Sequence, residues 1–175
     1  MSVREIITLG HPALWKKAEK VNDVADDSVK ALMTDLRDTL LDFLKRNGFG
    51  RGIAAPQINV LKRIVYVVMP DGSFDGPLIN PEIVATEGDL VPVWDDCFSL
   101  PGLKVKVSRF DKIRVEYLNE KEQKHTLKAE GGLAELLQHE IDHLDGILAT
   151  DRAASPRDLV SVVEWERRFR KEESS

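Results

Sequence analysis

The stretch GGLAELLQHEIDHLDG (residues 131–146) decides the predicted fold, because its apolar residues follow helical spacing most clearly. From Gly132 these residues recur at intervals of three and four, which places them on one face of a helix. Gly146 then supplies a stop that commonly ends a helix. The apolar residues of this face are Leu133, Leu136, Leu137, Ile141 and Leu144. We therefore predict a helix that buries one face in the core.

The same stretch contains the pattern His-Glu-x-x-His. In a helix, His139 and His143 lie one turn apart on one face, so their imidazoles can bind a single metal ion. Glu140 is adjacent, where its carboxylate can contact a water molecule on that ion without being a ligand. An ordinary amphipathic helix with exposed histidines is the alternative. We favour the metal site because this spacing is uncommon by chance.

Cys97 is the candidate third ligand. It is the only cysteine of the chain and lies in WDDCFSLPG (94–102), an irregular sequence suited to the end of a strand. A catalytic metal usually has three protein ligands and one open position. A thiolate with two neutral imidazoles leaves a divalent ion one net positive charge, which acidifies bound water. From the residues alone, the alternative of a small buried apolar cysteine stays open.

Outward from this helix, the rest of the chain alternates between helical and extended patterns. Residues 3–21 indicate an irregular arm, and residues 48–57 are too irregular for a helix. An amphipathic helix is predicted from Asp26 to Arg46, capped by Asp27 or Ser28. Strands are predicted at Arg63 to Met69, Leu78 to Ile79, Ile83 to Glu87, Lys104 to Val107, Ile113 to Leu118 and Lys124 to Ala129. A last helix is predicted from Pro156 to about Arg170.

These elements predict an α+β fold. Mostly antiparallel sheets would pack around a central metal-binding helix, with an N-terminal amphipathic helix and a C-terminal helix. A chain of 175 residues fits a single catalytic domain over residues 1–175, with 155–175 as the terminal helix and tail.

Composition narrows the class of function. The formal net charge of −5 argues against a general nucleic-acid coat and against specific DNA binding. The longest apolar run, Ile64 to Met69, is far too short to cross a membrane. The N-terminus lacks the features of a secretory signal, and a single cysteine allows no internal disulfide. We therefore expect a protein of the reducing, bacterial-type cytoplasm without a membrane partner.

Three segments together resemble the peptide deformylase family. They are GRGIAAPQ (50–57), WDDCFSLP (94–101) and QHEIDHLDG (138–146), in the family's order. The opening IITLGHPALWKKAEKV (6–21) also resembles the family's N-terminal arm. The resemblance spans about residues 3–152 and implies removal of the formyl group from the N-terminal formylmethionine of new bacterial proteins.

The resemblance implies a role for each matching residue. Cys97, His139 and His143 would bind one divalent metal, ferrous iron most often in the cell, with zinc, nickel or cobalt in some preparations. Glu140 would act as general base and acid. Gln57 and the backbone N–H of Phe98 would donate to the oxyanion, since hydrolysis places negative charge on the carbonyl oxygen.

The resemblance also implies how the peptide would bind. Gly50 and Gly52 would leave a strand edge open for the peptide backbone. Lys104 stands where relatives often have arginine and could still anchor substrate carbonyls, without the planar fork. Its substrates would be N-formylated nascent peptides at the ribosome exit. Ribosomal RNA there could be contacted by the basic cluster Arg167, Arg168, Arg170 and Lys171. A solvated helix end is the interpretation we favour for that cluster, because nearby glutamates neutralise it.

The chain departs from the family around the substrate pocket. Asp95 replaces a glutamate, with Arg109 at the spacing of its usual ion-pair partner. We predict a structural ion pair between them, with an ordinary solvated pair as the alternative. Asp96 replaces a glycine, and Arg51 and Glu135 stand at positions near the pocket for the methionine side chain. Buried unpaired charge is costly, so either Arg51 pairs with Asp96 or Glu135, or these charges face solvent, or the preferred substrate differs. We predict deformylase chemistry with a broadened or shifted side-chain preference.

Two other functions fit parts of the pattern. A metallopeptidase would need a further ligand downstream, for which Glu164 and Glu166 are candidates. A deformylase-like protein could also bind formylated N-termini without turnover. The complete set of predicted metal and catalytic residues argues against that second alternative.

Overall fold

The computed structural model describes residues 3–169. In this range the strands form one six-stranded sheet in the order β1-β2-β3-β4-β5, and β6 pairs with β4. Every pair of neighbouring strands is antiparallel. The strands are β1 (Gly52–Ala54), β2 (Ile64–Val68), β3 (Asp75–Asp96), β4 (Leu103–Leu118), β5 (Lys124–Glu130) and β6 (Leu159–Ser161). The predicted α+β class with an antiparallel sheet is confirmed.

The strand predicted at Lys124 to Ala129 is confirmed as β5, but the division of residues 78–118 into four short strands is wrong. The structure has two long strands instead, β3 of 22 residues and β4 of 16. Their pairing continues through three register shifts, the first between the pairs of Ile79 and Glu82 and the last between those of Glu87 and Leu90. Pro81 and Gly88 indicate strand ends in the sequence, but β-bulges accommodate such residues without ending the ladder.

The helices are α1 (Asp27–Asn47), α2 (Gly132–Leu144), α3 (Ala149–Arg152) and α4 (Val162–Arg168). Short 3-10 helices form at Pro12–Trp15, Ala55–Ile58 and Pro156–Asp158, so the stretch 48–57, predicted to be irregular, contains β1 and the start of a 3-10 turn. The cap of α1 was assigned wrongly, because Asp26 rather than Asp27 or Ser28 is the N-cap. Its carboxylate accepts from the Ser28 N–H at 2.7 Å.

The single terminal helix predicted from Pro156 to about Arg170 is also wrong. The chain makes a 3-10 turn, then β6 and only then α4. β6 adds to Leu103–Val105 at the start of β4, and this backbone pairing competes successfully with local helix formation. Ser161 then caps α4, and Arg170 lies outside the described residues.

The two longer helices pack on opposite faces of β2, because successive side chains of a strand point to opposite faces. Val65 and Val67 belong to the core cluster that includes the leucines of α2. Ile64 and Tyr66 belong to the cluster that includes the apolar face of α1. α2 therefore packs on one face of the sheet, and its residue His139 contacts Asp95 at the end of β3.

The N-terminal arm ties these segments together through backbone hydrogen bonds. The N–H of Ile7 donates to the carbonyl of Gln57 at 2.9 Å, and the N–H of Leu9 donates to Ser99 at 2.8 Å. Farther along, Ala18 donates to the carbonyl of Leu144 at the end of α2. Among the helices within residues 3–169, none has the length and apolar character needed to cross a membrane.

Candidate metal centre and substrate cleft

Helix α2 buries several ionisable side chains, and three of them are the named residues of the His-Glu-x-x-His pattern. His139, Glu140 and His143 are only 7%, 3% and 1% exposed. Four-residue spacing brings the two imidazoles to the same side of the helix, with their ring centroids 4.9 Å apart. Such groups are costly to bury without a partner, so their common location indicates a site built for chemistry.

Cys97 joins the two histidines. It follows the last residue of β3 and begins a turn closed by the Leu100 N–H, which donates to its carbonyl at 2.9 Å. Its Sγ lies 3.2 Å from His143 Nε2, and the ligand atoms of Cys97, His139 and His143 all lie within 4.8 Å of one another. One thiolate and two imidazoles form a donor set that suits a divalent transition metal and leaves a position open.

A buried ion-pair network orients His139. Its Nδ1 lies 3.0 Å from Asp95 Oδ2, which leaves Nε2 for the cluster, as is usual for metal-binding histidines. Arg109 donates to the same carboxylate from Nε and from a terminal nitrogen. Burial would raise the pKa of Asp95, but the hydrogen bond with His139 and the charge of Arg109 outweigh it and hold that pKa at about 2. The predicted Asp95–Arg109 ion pair is therefore confirmed, and it is buried.

The network continues behind the site. Arg109 also donates to Asp142 at 3.0 Å, and Arg152 donates to the other oxygen of Asp142 at 2.6 Å. Sequence reasoning missed Asp142 and Arg152, although Asp142 lies inside the His-Glu-x-x-His pattern. A polar residue within the buried half of an amphipathic helix was the signal that could have identified it.

Glu140 lies against the backbone of β1. A Cβ added at Gly52 would lie 2.9 Å from its Oε1 and 3.1 Å from its Cγ, so only glycine leaves room for the carboxylate there. The other oxygen, Oε2, is buried without a hydrogen-bond partner among residues 3–169. Burial raises the pKa of Glu140 to about 7. An unpartnered buried carboxylate beside three converging ligands fits a site that holds a metal ion and water.

Gln57 approaches the cluster from the 3-10 helix after β1. It is 1% exposed, and its Oε1 accepts from the Ala54 N–H at 2.9 Å. This bond fixes the amide so that Nε2 faces Cys97 Sγ at 3.5 Å and Ser99 Oγ at 3.3 Å. Ser99 was a partner that sequence reasoning did not identify. The amide N–H donors of Gln57 are therefore held next to the candidate ligands.

A cleft of about 410 Å³ opens beside these groups. Its wall contains every residue that the sequence singled out for the site except His143, which lies deeper. These residues are Gly50, Arg51, Gly52, Gln57, Asp96, Cys97, Phe98, Lys104, Glu135, His139 and Glu140. Neither Glu164 nor Glu166, the candidate ligands of a metallopeptidase, belongs to the Cys97 cluster.

Four charged residues of the cleft form two ion pairs. Arg51 lies 3.7 Å from Glu135, and Asp96 lies 2.7 Å from Lys104. The alternative of an Arg51–Asp96 pair is therefore wrong, and the Arg51–Glu135 pair is correct. Burial is the main reason that the pKa of Glu135 is raised, with Arg51 opposing the shift.

Comparison with known proteins gives this arrangement a context. A family model described as polypeptide deformylase matches residues 3–158. A peptide deformylase of Natranaerobius thermophilus is 42% identical, over 87% of this chain and 94% of that protein. Peptide deformylase 2 of Clostridium perfringens is 40% identical, over 91% of this chain and 99% of that protein.

Solved structures agree with the sequence comparison. A peptide deformylase from Synechococcus elongatus in complex with actinonin has a TM-score of 0.82 at 30% identity, covering 90% of this chain and 82% of that one. One from Legionella pneumophila has a TM-score of 0.80 at 34% identity, covering 98% of this chain and 96% of that one. The likeness therefore extends from the motifs to the whole fold.

Proposed function

The chain belongs to the polypeptide deformylase family and removes the N-formyl group from nascent polypeptides, and on that premise we propose that Cys97, His139 and His143 bind its metal ion. The observation that carries the proposal is the convergence of their ligand atoms within 4.8 Å. The metal-binding helix α2 would then lie at the centre of the catalytic domain. We propose ferrous iron in the cell, with zinc, nickel or cobalt able to replace it, because thiolate and imidazole donors accept all four.

Glu140 acts in this proposal as the group that moves the proton. When bound, the divalent metal supplies Lewis acidity toward the formyl oxygen and toward water. The Oε2 atom of Glu140 takes a proton from the attacking water and delivers it to the nitrogen of the leaving amine. The contact of Glu140 with Gly52 and the absence of a hydrogen-bond partner for Oε2 within residues 3–169 support this role.

Two donors stabilise the negative charge that develops on the formyl oxygen. We assign them to the Gln57 side-chain amide and the Phe98 backbone N–H. The bond from Ala54 to Gln57 Oε1 supports the first assignment, because it turns the NH₂ group toward Cys97, where its donors now contact Cys97 Sγ and Ser99 Oγ. The location of Phe98 in the cleft wall, next to Cys97, supports the second.

The peptide backbone adds alongside β1 in this proposal. β1 is the terminal strand of the order β1-β2-β3-β4-β5, so one of its edges has no strand partner within residues 3–169. Gly50 and Gly52 place no side chain in the path of an added strand. Lys104, at the other wall of the cleft, can donate to a substrate carbonyl while it pairs with Asp96.

The first side chain of the substrate meets the pair formed by Arg51 and Glu135. Glu135 lies one turn before His139 on the same face of α2, and Arg51 precedes Gly52. At 3.7 Å the pair is too long for a hydrogen bond, so each group keeps capacity for a polar ligand. We propose that the enzyme accepts polar or charged first residues as well as methionine. Rates on formyl-Met, formyl-Leu and formyl-Lys peptides test this, and a strong preference for formyl-Met contradicts it.

The proposed function is tested by formate release from formyl-Met-Ala-Ser with anaerobically purified enzyme whose metal content is measured. Glu140→Ala should lower kcat by about 10²- to 10⁴-fold, because the proton carrier is lost. Its metal content should equal that of the wild type, because Glu140 is not a ligand. Wild-type turnover by the variant would contradict the assigned role. No formate release by the metal-loaded wild type would instead favour a protein that only binds formylated N-termini.

The reaction takes place in the cytoplasm in this proposal, where formylated chains leave the ribosome. A contact with ribosomal RNA near the exit site would involve the basic cluster at residues 167–171. Arg167 is already paired with Glu164 at 2.7 Å, and Arg170 and Lys171 lie outside the described residues. Co-sedimentation with ribosomes at increasing salt tests this contact, which should weaken as salt rises.

A further inference from the structure

A second concavity, of about 550 Å³, lies between three parts of the fold. We call it the α4 groove, after the helix that forms one of its walls. Its residues are Phe43 and Asn47 from the end of α1, Phe49, the segment Asp96–Lys104 except Ser99, and Val162, Trp165 and Glu166 from α4. None of the catalytic or peptide-binding roles proposed above uses α4.

The α4 groove is continuous with the cleft beside the metal ligands. The two share Phe49, Asp96, Cys97, Phe98 and Lys104. The ring of Phe98 marks the junction, since it stacks on Phe43 at 3.8 Å and a Cβ at Gly50 would lie 2.6 Å from it. The cleft and the groove therefore border one another at Asp96–Phe98 and Lys104, so a ligand longer than the cleft reaches the groove next.

The character of the wall changes along this path. Near the metal ligands the wall is an even mixture of charged and apolar groups, whereas Leu100, Pro101, Leu103 and Val162 make the groove mainly apolar. Phe49 lies at the boundary and is 48% exposed, which is unusual for a large aromatic side chain. Exposed apolar surface that borders a binding cleft commonly contacts a ligand.

The substrate of the established activity is long enough to extend out of the cleft. The substrate is the N-terminus of a polypeptide, so a chain continues beyond the residue that carries the formyl group. An extended chain advances about 3.3 Å per residue, so its third and fourth residues lie roughly 7 to 10 Å from the first. We propose that the α4 groove binds the third and fourth residues of the formylated peptide and favours apolar side chains there. This inference rests on the metal site proposed above.

Two neighbouring valines of α4 allow a matched test. Val162 lines the groove, whereas Val163 is 57% exposed and does not. Both lie in the first turn, where an acidic side chain is compatible with the helix dipole, so each can be changed to aspartate with little effect on folding. Formate release is measured for formyl-Met-Ala, formyl-Met-Ala-Ser-Ser and formyl-Met-Ala-Leu-Leu, with the thermal midpoint as a check on folding.

The wild type should show a kcat/KM about tenfold higher for the leucine tetrapeptide than for the serine tetrapeptide, through a lower KM. Val162→Asp should remove most of that difference and leave formyl-Met-Ala unchanged, and Val163→Asp should behave as the wild type. Equal effects of the two variants, or an equal loss on all three substrates, would overturn the inference. So would a change in oligomeric state caused by Val162→Asp, because a second copy would then occupy the groove. Failure of the wild type to hydrolyse even formyl-Met-Ala would contradict the proposed function instead.

Discussion

Gly52→Ala should damage catalysis although it adds a single methyl group. The new Cβ would lie 2.9 Å from Oε1, 3.1 Å from Cγ and 3.2 Å from Cδ of Glu140. Gly52 is not among the residues with positive φ, so alanine fits the backbone without strain. Ordinary contacts need about 3.5 Å or more, so the carboxylate of Glu140 must move by several tenths of an ångström.

That displacement sets the size of the expected effect. A misplacement of about 1 Å in a catalytic group can cost about 10²-fold in rate, so a shift of roughly half that size should lower kcat by about tenfold or more. Formate release gives kcat and KM, and metal analysis on the same sample reports occupancy. We expect a lower kcat, an unchanged metal content and a thermal midpoint within a few degrees of the wild type.

Gly132→Ala is the matched control. A Cβ there would meet only the Arg51 side chain, at 3.0 Å, and the far end of a flexible arginine moves easily. Its kcat should stay within about twofold of the wild type, since surface changes of this kind have small effects. A wild-type kcat for Gly52→Ala would refute the contact as a constraint on Glu140. A fall in kcat that matched a loss of metal would refute it equally.

Two further predictions concern the charged groups around the site. Asp95→Asn should destabilise the protein by about 3 kcal/mol, because it weakens a buried partner of Arg109, and should weaken metal affinity by about 10- to 100-fold through His139. Denaturant unfolding and competition with a chelator measure these effects, and no change in either would be inconsistent with the network. Replacing Arg51 by Met and Glu135 by Leu together should raise the preference for formyl-Met over formyl-Lys by about tenfold, or roughly 1.4 kcal/mol. An unchanged ratio would show that the pair does not contact the first side chain.

The sequence predicted α2 and the proximity of its two histidines well because the signals are local. The apolar spacing of residues 132–144 specifies a helix, and the His139–His143 spacing follows from helical geometry. The Asp95–Arg109 pair was also predicted, but only from the resemblance to a family. Nothing local indicates that the two side chains meet and are buried, because in the ladder Asp95 is opposite Val105 and Arg109 is opposite Val91.

The features that sequence reasoning missed depend on tertiary contacts. The hydrogen bond between Gln57 and Ser99 joins segments more than forty residues apart. The role of Gly52 depends on the approach of α2 to β1, which no pattern of spacing encodes. The prediction of a single terminal helix was wrong for the same reason. Leu159–Ser161, which have ordinary helical propensity, pair instead with the backbone edge at Leu103–Val105.

Deformylation by this enzyme should depend on a metal ion bound by Cys97, His139 and His143. The most direct measurement compares wild type and Cys97→Ala, both purified anaerobically, for metal content and for formate release from formyl-Met-Ala-Ser. We expect a single bound metal ion and turnover in the wild type, and loss of both in a variant that remains folded. A folded Cys97→Ala protein that kept its metal and its turnover would contradict it.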